Sequence, residues 1–551
     1  MEVKRDIWSS RLSFILAAVG SAVGLGNVWR FPYIAYKYGG GAFLIPFFTA
    51  IFIAGIPLLI LEYYLGQSTQ QGAPGALAKV GKNWETLGWF AVFVGFFIVT
   101  YYSVIMGWAF GFLFKSFSFS EATVFSDFFY KDFLKLSDGI MNIGGINIFV
   151  LLGLIATWAA IVFCVFKGTR SVGKVVLITV PLPFLILIIF TIRGITLKGA
   201  VPGLLFFLRP DFSALLKVET WLAAFGQVFF SFSIGFGVMI TYASFQKKGS
   251  DITNNAFMTG LIDSATAYIA GYAVFSALGY LAVLKGLTVP EVAKSGPGLA
   301  FVVFPEIIAK LPFMKLFFVL FFLMLLTLGI DSAFSLFEAF TTAIGDKIRI
   351  KRAAGLFLFA VIGIVLGFIY ATKAGLYWLD SVDYFLSNYG LIIVGLLECI
   401  AVGWMLDIEK VRGEINEVSD FKIGKWWNIC VKFLIPFFLC VLLLVNTAEL
   451  LKNGYEGYPA RVLFLTGPVL LYLGVMFSIF MKNIGGIYSA FEKFIMIFGI
   501  LLIITIALYF PFAAYMKPLF NRLMPVIMGI FGFAVIGFGI AHSLKKLKKE
   551  E

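Results

Sequence analysis

Runs of about 20 apolar residues recur along almost the whole of this 551-residue chain, and a run of that length, wound as a helix, matches the hydrocarbon thickness of a bilayer. About fourteen such runs are present. The first ten cover 11–35, 42–66, 88–114, 147–166, 173–192, 220–245, 256–284, 313–342, 354–371 and 385–406. Four more cover 428–448, 460–481, 490–512 and 522–543. Hydrophobic residues make up 61% of the sequence and charged residues 13%, with a mean hydropathy of +0.97. No water-soluble fold hides that much apolar surface. The solvent is therefore lipid, and the fold class is an all-α integral membrane protein.

The net charge of +13 reports topology rather than nucleic-acid binding, because the basic residues are scattered through short loops. Lys79 and Lys82 follow span 2, and Lys167, Arg170 and Lys174 follow span 4. Lys247 and Lys248 follow span 6, and Lys347, Arg349, Lys351 and Arg352 follow span 8. With the terminal Lys545, Lys546, Lys548 and Lys549, these fall on the side of Lys4 and Arg5, so both termini are expected in the cytoplasm of a prokaryotic cell. No cleaved signal segment is expected at the N-terminus. Cys164, Cys399, Cys430 and Cys440 lie in or beside apolar runs without metal-ligand spacing, and no disulfide is expected.

Two spans are irregular in the same way. Span 1 contains Gly20, Gly24 and Gly26 around Asn27, followed by Arg30 and Pro32. Span 6 contains Gln227, Ser231 and Ser233 with Gly235 and Gly237. Glycine weakens a helix by about 1 kcal/mol relative to alanine. Close packing explains one glycine-rich helix, since Gly20 and Gly24 form a small-xxx-small pair, but not a second at the corresponding position. Five spans separate the two, so the units they open run in opposite directions. Paired interrupted helices in inverted repeats point to a transporter binding site. The expected organisation is repeat one over 1–200 (spans 1–5), repeat two over 201–408 (spans 6–10), spans 11–12 over 409–482, and a C-terminal extension over 483–551 with two further spans.

Ionisable groups inside spans are costly and signal function. Here they are Arg30, Glu62, Asp263, Asp331, Glu338 and Glu398, with Asp383 near an outer edge, and the sole histidine is the distal His542. A surplus of buried carboxylates holds protons or hard cations, and irregular backbone offers carbonyls to the latter. In span 8, Leu328, Asp331 and Ser332 fall on one helical face and offer a carbonyl, a carboxylate and a hydroxyl to one ion. Glu62, Glu338 and Glu398 are expected to bond the freed backbone of the broken helices. Intramembrane hydrolysis has little support: with one terminal histidine and no H-E-x-x-H, G-x-S-x-G or P-loop, an enzyme is not expected.

The stretch Trp8–Pro32, WSSRLSFILAAVGSAVGLGNVWRFP, closely resembles the neurotransmitter:sodium symporter family. So do GGGAFLIPFF from Gly39, GQVFFSFSIGFG from Gly226 and LGIDSAFSLFEA from Leu328, and the likeness covers roughly 1–482. The resemblance implies a sodium-coupled symporter of neutral amino acids, apolar or aromatic, working by alternating access with two sodium ions. The first ion would be held by Ala22, Asn27, Ser231, Asp263 and the substrate carboxylate. The second would be held by Gly20, Val23, Leu328, Asp331 and Ser332. The substrate carboxylate would meet Leu25, Gly26 and Tyr102, and its ammonium Ala22, Phe230 and Ser231. Its side chain would sit among Ile98, Phe230, Ser233, Phe236, Ser332 and Leu336. An outer gate would pair Arg30 with Asp383 under Tyr102 and Phe230; an inner gate would pair Arg5 with Asp346, supported by Trp8 and Ser244.

Gly24 favours an amino acid, because family members that carry monoamines place an acid at that position. Members that need chloride use hydroxyls where this chain has Phe47 and Ala267, and an asparagine where it has Asp263. Chloride independence is the resulting expectation. Phe245 stands where a tyrosine is often found at the inner gate, and the family usually stops at eleven or twelve spans. Two other readings share these residues: a transport-dead sensor or channel that keeps the binding site, and a proton-coupled transporter using Asp263 and Asp331. The partners expected are an amino-acid substrate and the lipid bilayer, with no nucleic acid.

Overall fold

The computed structural model describes residues 5–293, 296–348 and 350–484. Among them, ten helices are long and apolar enough to cross a membrane, and a pair bent by 52°, Arg11–Ala22 with Leu25–Lys37, makes an eleventh crossing. A twelfth is divided into Val218–Ser231 and Val238–Ser244. The bent pair is span 1 and the divided one span 6. The others, in order, are Gly41–Thr69, Lys82–Ser118, Ile148–Val165, Thr169–Ile195, Thr253–Lys285, Met314–Lys347, Arg352–Ala371, Gly375–Met405, Lys425–Asn453 and Ala460–Lys482. Among the described residues, extended pairing is limited to isolated bridges, Gly40 with Pro210 and Ile146 with Thr372. The runs 490–512 and 522–543 lie outside the described residues.

Burial separates the spans into two shells. The apolar window of span 3 is 89% buried, against 28% in span 5 and 33% in spans 9 and 11. Span 3 is therefore a central post, while spans 5, 9 and 11 turn most of their surface toward lipid. Small residues let the central helices touch backbone to backbone. A Cβ on Gly66 of span 2 would lie 2.0 Å from the Ile240 carbonyl of span 6, and one on Gly107 of span 3 would lie 2.7 Å from Gly153 of span 4. All four cysteines are free.

Span 10 begins at Gly375 rather than at 385, so Asp383 sits inside a helix and not near its edge. The first turns are polar and read as loop, but neighbouring elements satisfy them. Asp380 accepts from Tyr455 and Tyr458, Ser381 bonds Thr466, and Asp383 accepts from Tyr101.

Candidate functional site

The two breaks face each other. The first half of span 1 stops at Ala22, Val23 and Gly24 are extended, and helix resumes at Leu25. The last carbonyls of one half and the first N–H groups of the next lose their intrahelical partners there. Span 6 opens through Phe232–Gly237, where Ser233, Gly235 and Gly237 take positive φ of 53°, 80° and 71°. The Ser21 carbonyl accepts from the hydroxyls of Ser233 at 2.9 Å and Ser332 at 3.2 Å, tying spans 1, 6 and 8 together at the break. The Ser21 hydroxyl reaches that of Ser335 at 2.8 Å.

One oxygen-rich cluster joins spans 1, 6 and 7. The Asn27 amide donates to Asp263 Oδ1 at 2.8 Å and to Ser231 Oγ at 3.3 Å, while Ser231 Oγ donates to Asp263 Oδ2 at 2.8 Å. Asn27 Oδ1 accepts the freed N–H of Gly24 at 3.0 Å. Asn27, Ser231 and Asp263 are all buried. A second carboxylate, Asp331, lies on the other side of the break: a Cβ on Gly20 would stand 2.9 Å from its Oδ2. Asp331 Oδ1 accepts from Thr179 of span 5 at 2.7 Å. Leu328, Asp331 and Ser332 share one unbroken helix, Met314–Lys347. Each cluster thus holds one carboxylate among neutral oxygens, a donor set suited to a hard monovalent cation.

Between the clusters, Gly26, Tyr102, Phe230 and Ser332 remain part-exposed, whereas Ile98, Ser233, Phe236 and Leu336 are buried. The Leu25 N–H points to the Tyr102 hydroxyl at 3.5 Å. A Cβ on Gly24 would meet Ser332 Oγ at 3.0 Å and the Tyr102 hydroxyl at 3.5 Å. Phe230 and Phe236 sit edge to face at 6.5 Å, and Leu336 lies beside Phe236 near Gly95.

The two pairs expected to act as gates differ. Arg5 reaches Asp346 and Ser244, each at 2.5 Å, and its guanidinium stacks over Phe245 at 4.9 Å. Trp8 donates to the Tyr242 carbonyl at 2.8 Å. No ion pair joins Arg30 to Asp383 among the described residues. Arg30 stacks over the Phe230 ring at 4.8 Å, while Asp383 accepts from Tyr101 at 2.5 Å and Ser387 at 3.1 Å. Arg5 and Asp346 are thus joined, and Arg30 and Asp383 are not.

Of the remaining acids, Glu62 accepts the freed N–H of Gly235 at 2.8 Å, bonding broken backbone. Glu338 instead pairs with Arg352 at 2.5 Å. Glu398 lies beside Glu62 and is bonded to no backbone N–H among the described residues. Sequence reasoning passed over Thr179, Ser21 and Tyr101. A lone hydroxyl two residues before Pro181 in an otherwise apolar run was the available signal for Thr179; Ser21 and Tyr101 carried none.

The sodium:neurotransmitter symporter family model matches residues 5–123 and 118–519, reaching past span 12. An uncharacterized sodium-dependent transporter of Methanocaldococcus jannaschii is 39% identical over 483 residues, 87% of this chain and 98% of its own length. A creatine transporter of Torpedo marmorata is 34% identical over 498 residues, 83% of this chain and 81% of its own. A sodium- and chloride-dependent GABA transporter 2 of Rattus norvegicus is 33% identical over 472 residues, 79% of this chain and 78% of its own. The chain is therefore a multi-pass, sodium-dependent transporter belonging to the sodium:neurotransmitter symporter family.

Proposed function

We propose that this transporter is a chloride-independent symporter of neutral amino acids, coupling uptake to two sodium ions. The observation that supports it most is the Asn27–Ser231–Asp263 cluster set against the break in span 1. A sodium ion there lies next to the space where Gly24, Gly26, Leu25 and Tyr102 offer room and donors to a substrate carboxylate. Each charge makes the other's binding more favourable, so the coupling is direct and reciprocal. Asp331 with Leu328, Ser332 and the carbonyls of Gly20 and Val23 forms the second ion site.

Gly24 leaves open the place an acidic side chain would fill, which suits a substrate that brings its own carboxylate. Ile98, Phe236 and Leu336 favour an apolar or aromatic side chain. Phe47 is buried against Phe31 at 4.8 Å, and Ala267 is buried too, so neither offers a hydroxyl to chloride. Asp263 supplies the negative charge internally. Arg5 with Asp346 closes the inner end while Arg30 and Asp383 stand apart, an arrangement for loading from outside, with both termini in the cytoplasm of a prokaryotic cell.

Equilibrium binding of labelled neutral amino acids to the purified protein tests the site. Binding is expected in sodium gluconate and not in potassium gluconate. Equal binding in both salts rules out direct coupling.

A further inference from the structure

At the end of the bundle that carries Arg5 and Asp346, a cavity of about 240 Å³ opens between spans 10 and 11 and the short helix Ile408–Val418. At about 30 Å³ per water it has room for roughly eight waters, the scale of a small polar headgroup. Lys432, Asn428, Asp407 and Glu409 line it beside the apolar Ile429 and Phe433.

Lys432 lies about two turns inside span 11, where an ionisable side chain is costly without a partner. Among the described residues no carboxylate pairs with it. Its ammonium stands 5.8 Å from the Trp404 ring, and the Trp404 indole donates to the Lys432 carbonyl at 3.1 Å, which fixes the residue beside the cavity. Trp404, Ile429 and Phe433 are 55%, 51% and 54% exposed, so the same corner presents an apolar and aromatic face to lipid.

The opposite wall is acidic. Asp407 caps helix 408–418, its Oδ1 accepting the N–H groups of Glu409 at 3.1 Å and Lys410 at 3.3 Å, and among the described residues no donor reaches its second oxygen. Glu409 is already satisfied by Arg412 and by the Asn428 amide. Asn428 is buried, and its Oδ1 has no hydrogen-bond partner among the described residues.

We propose that this cavity binds the headgroup of a membrane phospholipid bearing a primary amine, of the phosphatidylethanolamine type. The phosphodiester sits at Lys432, the ammonium at Asp407 near the aqueous rim, and the acyl chains run along Ile429, Phe433 and Trp404. A cation inside the apolar boundary and an acceptor outside it match the order of charges along such a headgroup. A purely anionic headgroup gains Lys432 but faces Asp407. A quaternary choline cannot donate to Asp407 at all.

The test is native mass spectrometry of the full-length protein titrated separately with phosphatidylethanolamine, phosphatidylglycerol and phosphatidylcholine of identical chains. The first phosphatidylethanolamine is expected to bind at least about tenfold tighter than either competitor. Lys432→Ala is expected to weaken it at least about fivefold, Lys432→Arg to restore it, and Lys410→Ala to leave it unchanged. Asp407→Asn keeps the helix cap, since asparagine caps as well as aspartate, and is expected to erase the preference over phosphatidylglycerol. Equal first-site affinity for the three lipids, or wild-type affinity in a Lys432→Ala protein with an unaltered melting curve, overturns the proposal.

Discussion

The Asn27 amide donates to the Asp263 carboxylate at 2.8 Å across the break in span 1, so the helix that opens the site is pinned to the acid on span 7. Asp263 also accepts from Ser231. On the reading proposed above, a sodium ion completes this buried carboxylate, which is otherwise held only by neutral donors, and its binding would draw spans 1, 6 and 7 together.

Asp263→Asn keeps the shape of the cluster and removes its charge. The sodium concentration for half-maximal uptake is expected to rise at least about tenfold, the equivalent of ~1.4 kcal/mol. Adding Phe47→Tyr and Ala267→Ser to that variant is expected to restore uptake only when chloride is present. Restoration in gluconate goes against an internal charge role for Asp263.

Gly24→Asp places a Cβ 3.0 Å from Ser332 Oγ and a carboxylate where the substrate's own is expected. Amino-acid uptake is expected to fall at least about tenfold, a loss of ~1.4 kcal/mol or more. Retained uptake, measured at several substrate concentrations, removes the argument for amino-acid selectivity.

Arg5 links Asp346, Ser244 and the Phe245 ring, and the Trp8 N–H beside it donates to the Phe245 carbonyl at 3.0 Å. Arg5→Ala is expected to speed hydrogen exchange at the Trp8 amide about tenfold, which reads as ~1.4 kcal/mol lost from the closed inner end. Exchange at the wild-type rate leaves Arg5 no latching role.

Much of this arrangement was legible beforehand. The boundaries of most spans follow from apolar runs alone, and the two breaks from glycines beside serine and asparagine at mid-membrane depth. The start of span 10 is not legible in the sequence, because Asp380, Ser381 and Asp383 look like loop without Tyr455, Tyr458, Thr466 and Tyr101, which satisfy them. The Asp331–Thr179 bond joins residues on spans 5 and 8, and no local pattern announces such a pairing. The partner of Glu338 was hidden for the same reason: Arg352 starts the next span and folds back on it.

The loop between spans 11 and 12 is strapped to the first turns of span 10. Tyr455 and Tyr458 donate to the two oxygens of Asp380 at 3.0 and 2.9 Å, and Tyr455 stacks on Tyr384 at 3.9 Å. Burial, then the nearby Asp380 charge, holds both phenols above their ordinary range. They are therefore stably protonated donors below about pH 10, and the contribution is lost only as pH climbs through the raised values. Tyr455→Phe with Tyr458→Phe keeps the stacking and removes both donors. Proteolysis after Lys452 is expected to quicken about fivefold, for roughly 1 kcal/mol. Unchanged cleavage excludes the strap.

The most direct test is uptake of labelled neutral amino acids by proteoliposomes under an inward sodium gradient, with potassium as the control cation and gluconate in place of chloride throughout. Accumulation of one or a few neutral amino acids in sodium alone is the predicted result. Sodium-dependent binding without accumulation contradicts symport and leaves a sensor; accumulation driven equally by a proton gradient in potassium contradicts sodium coupling.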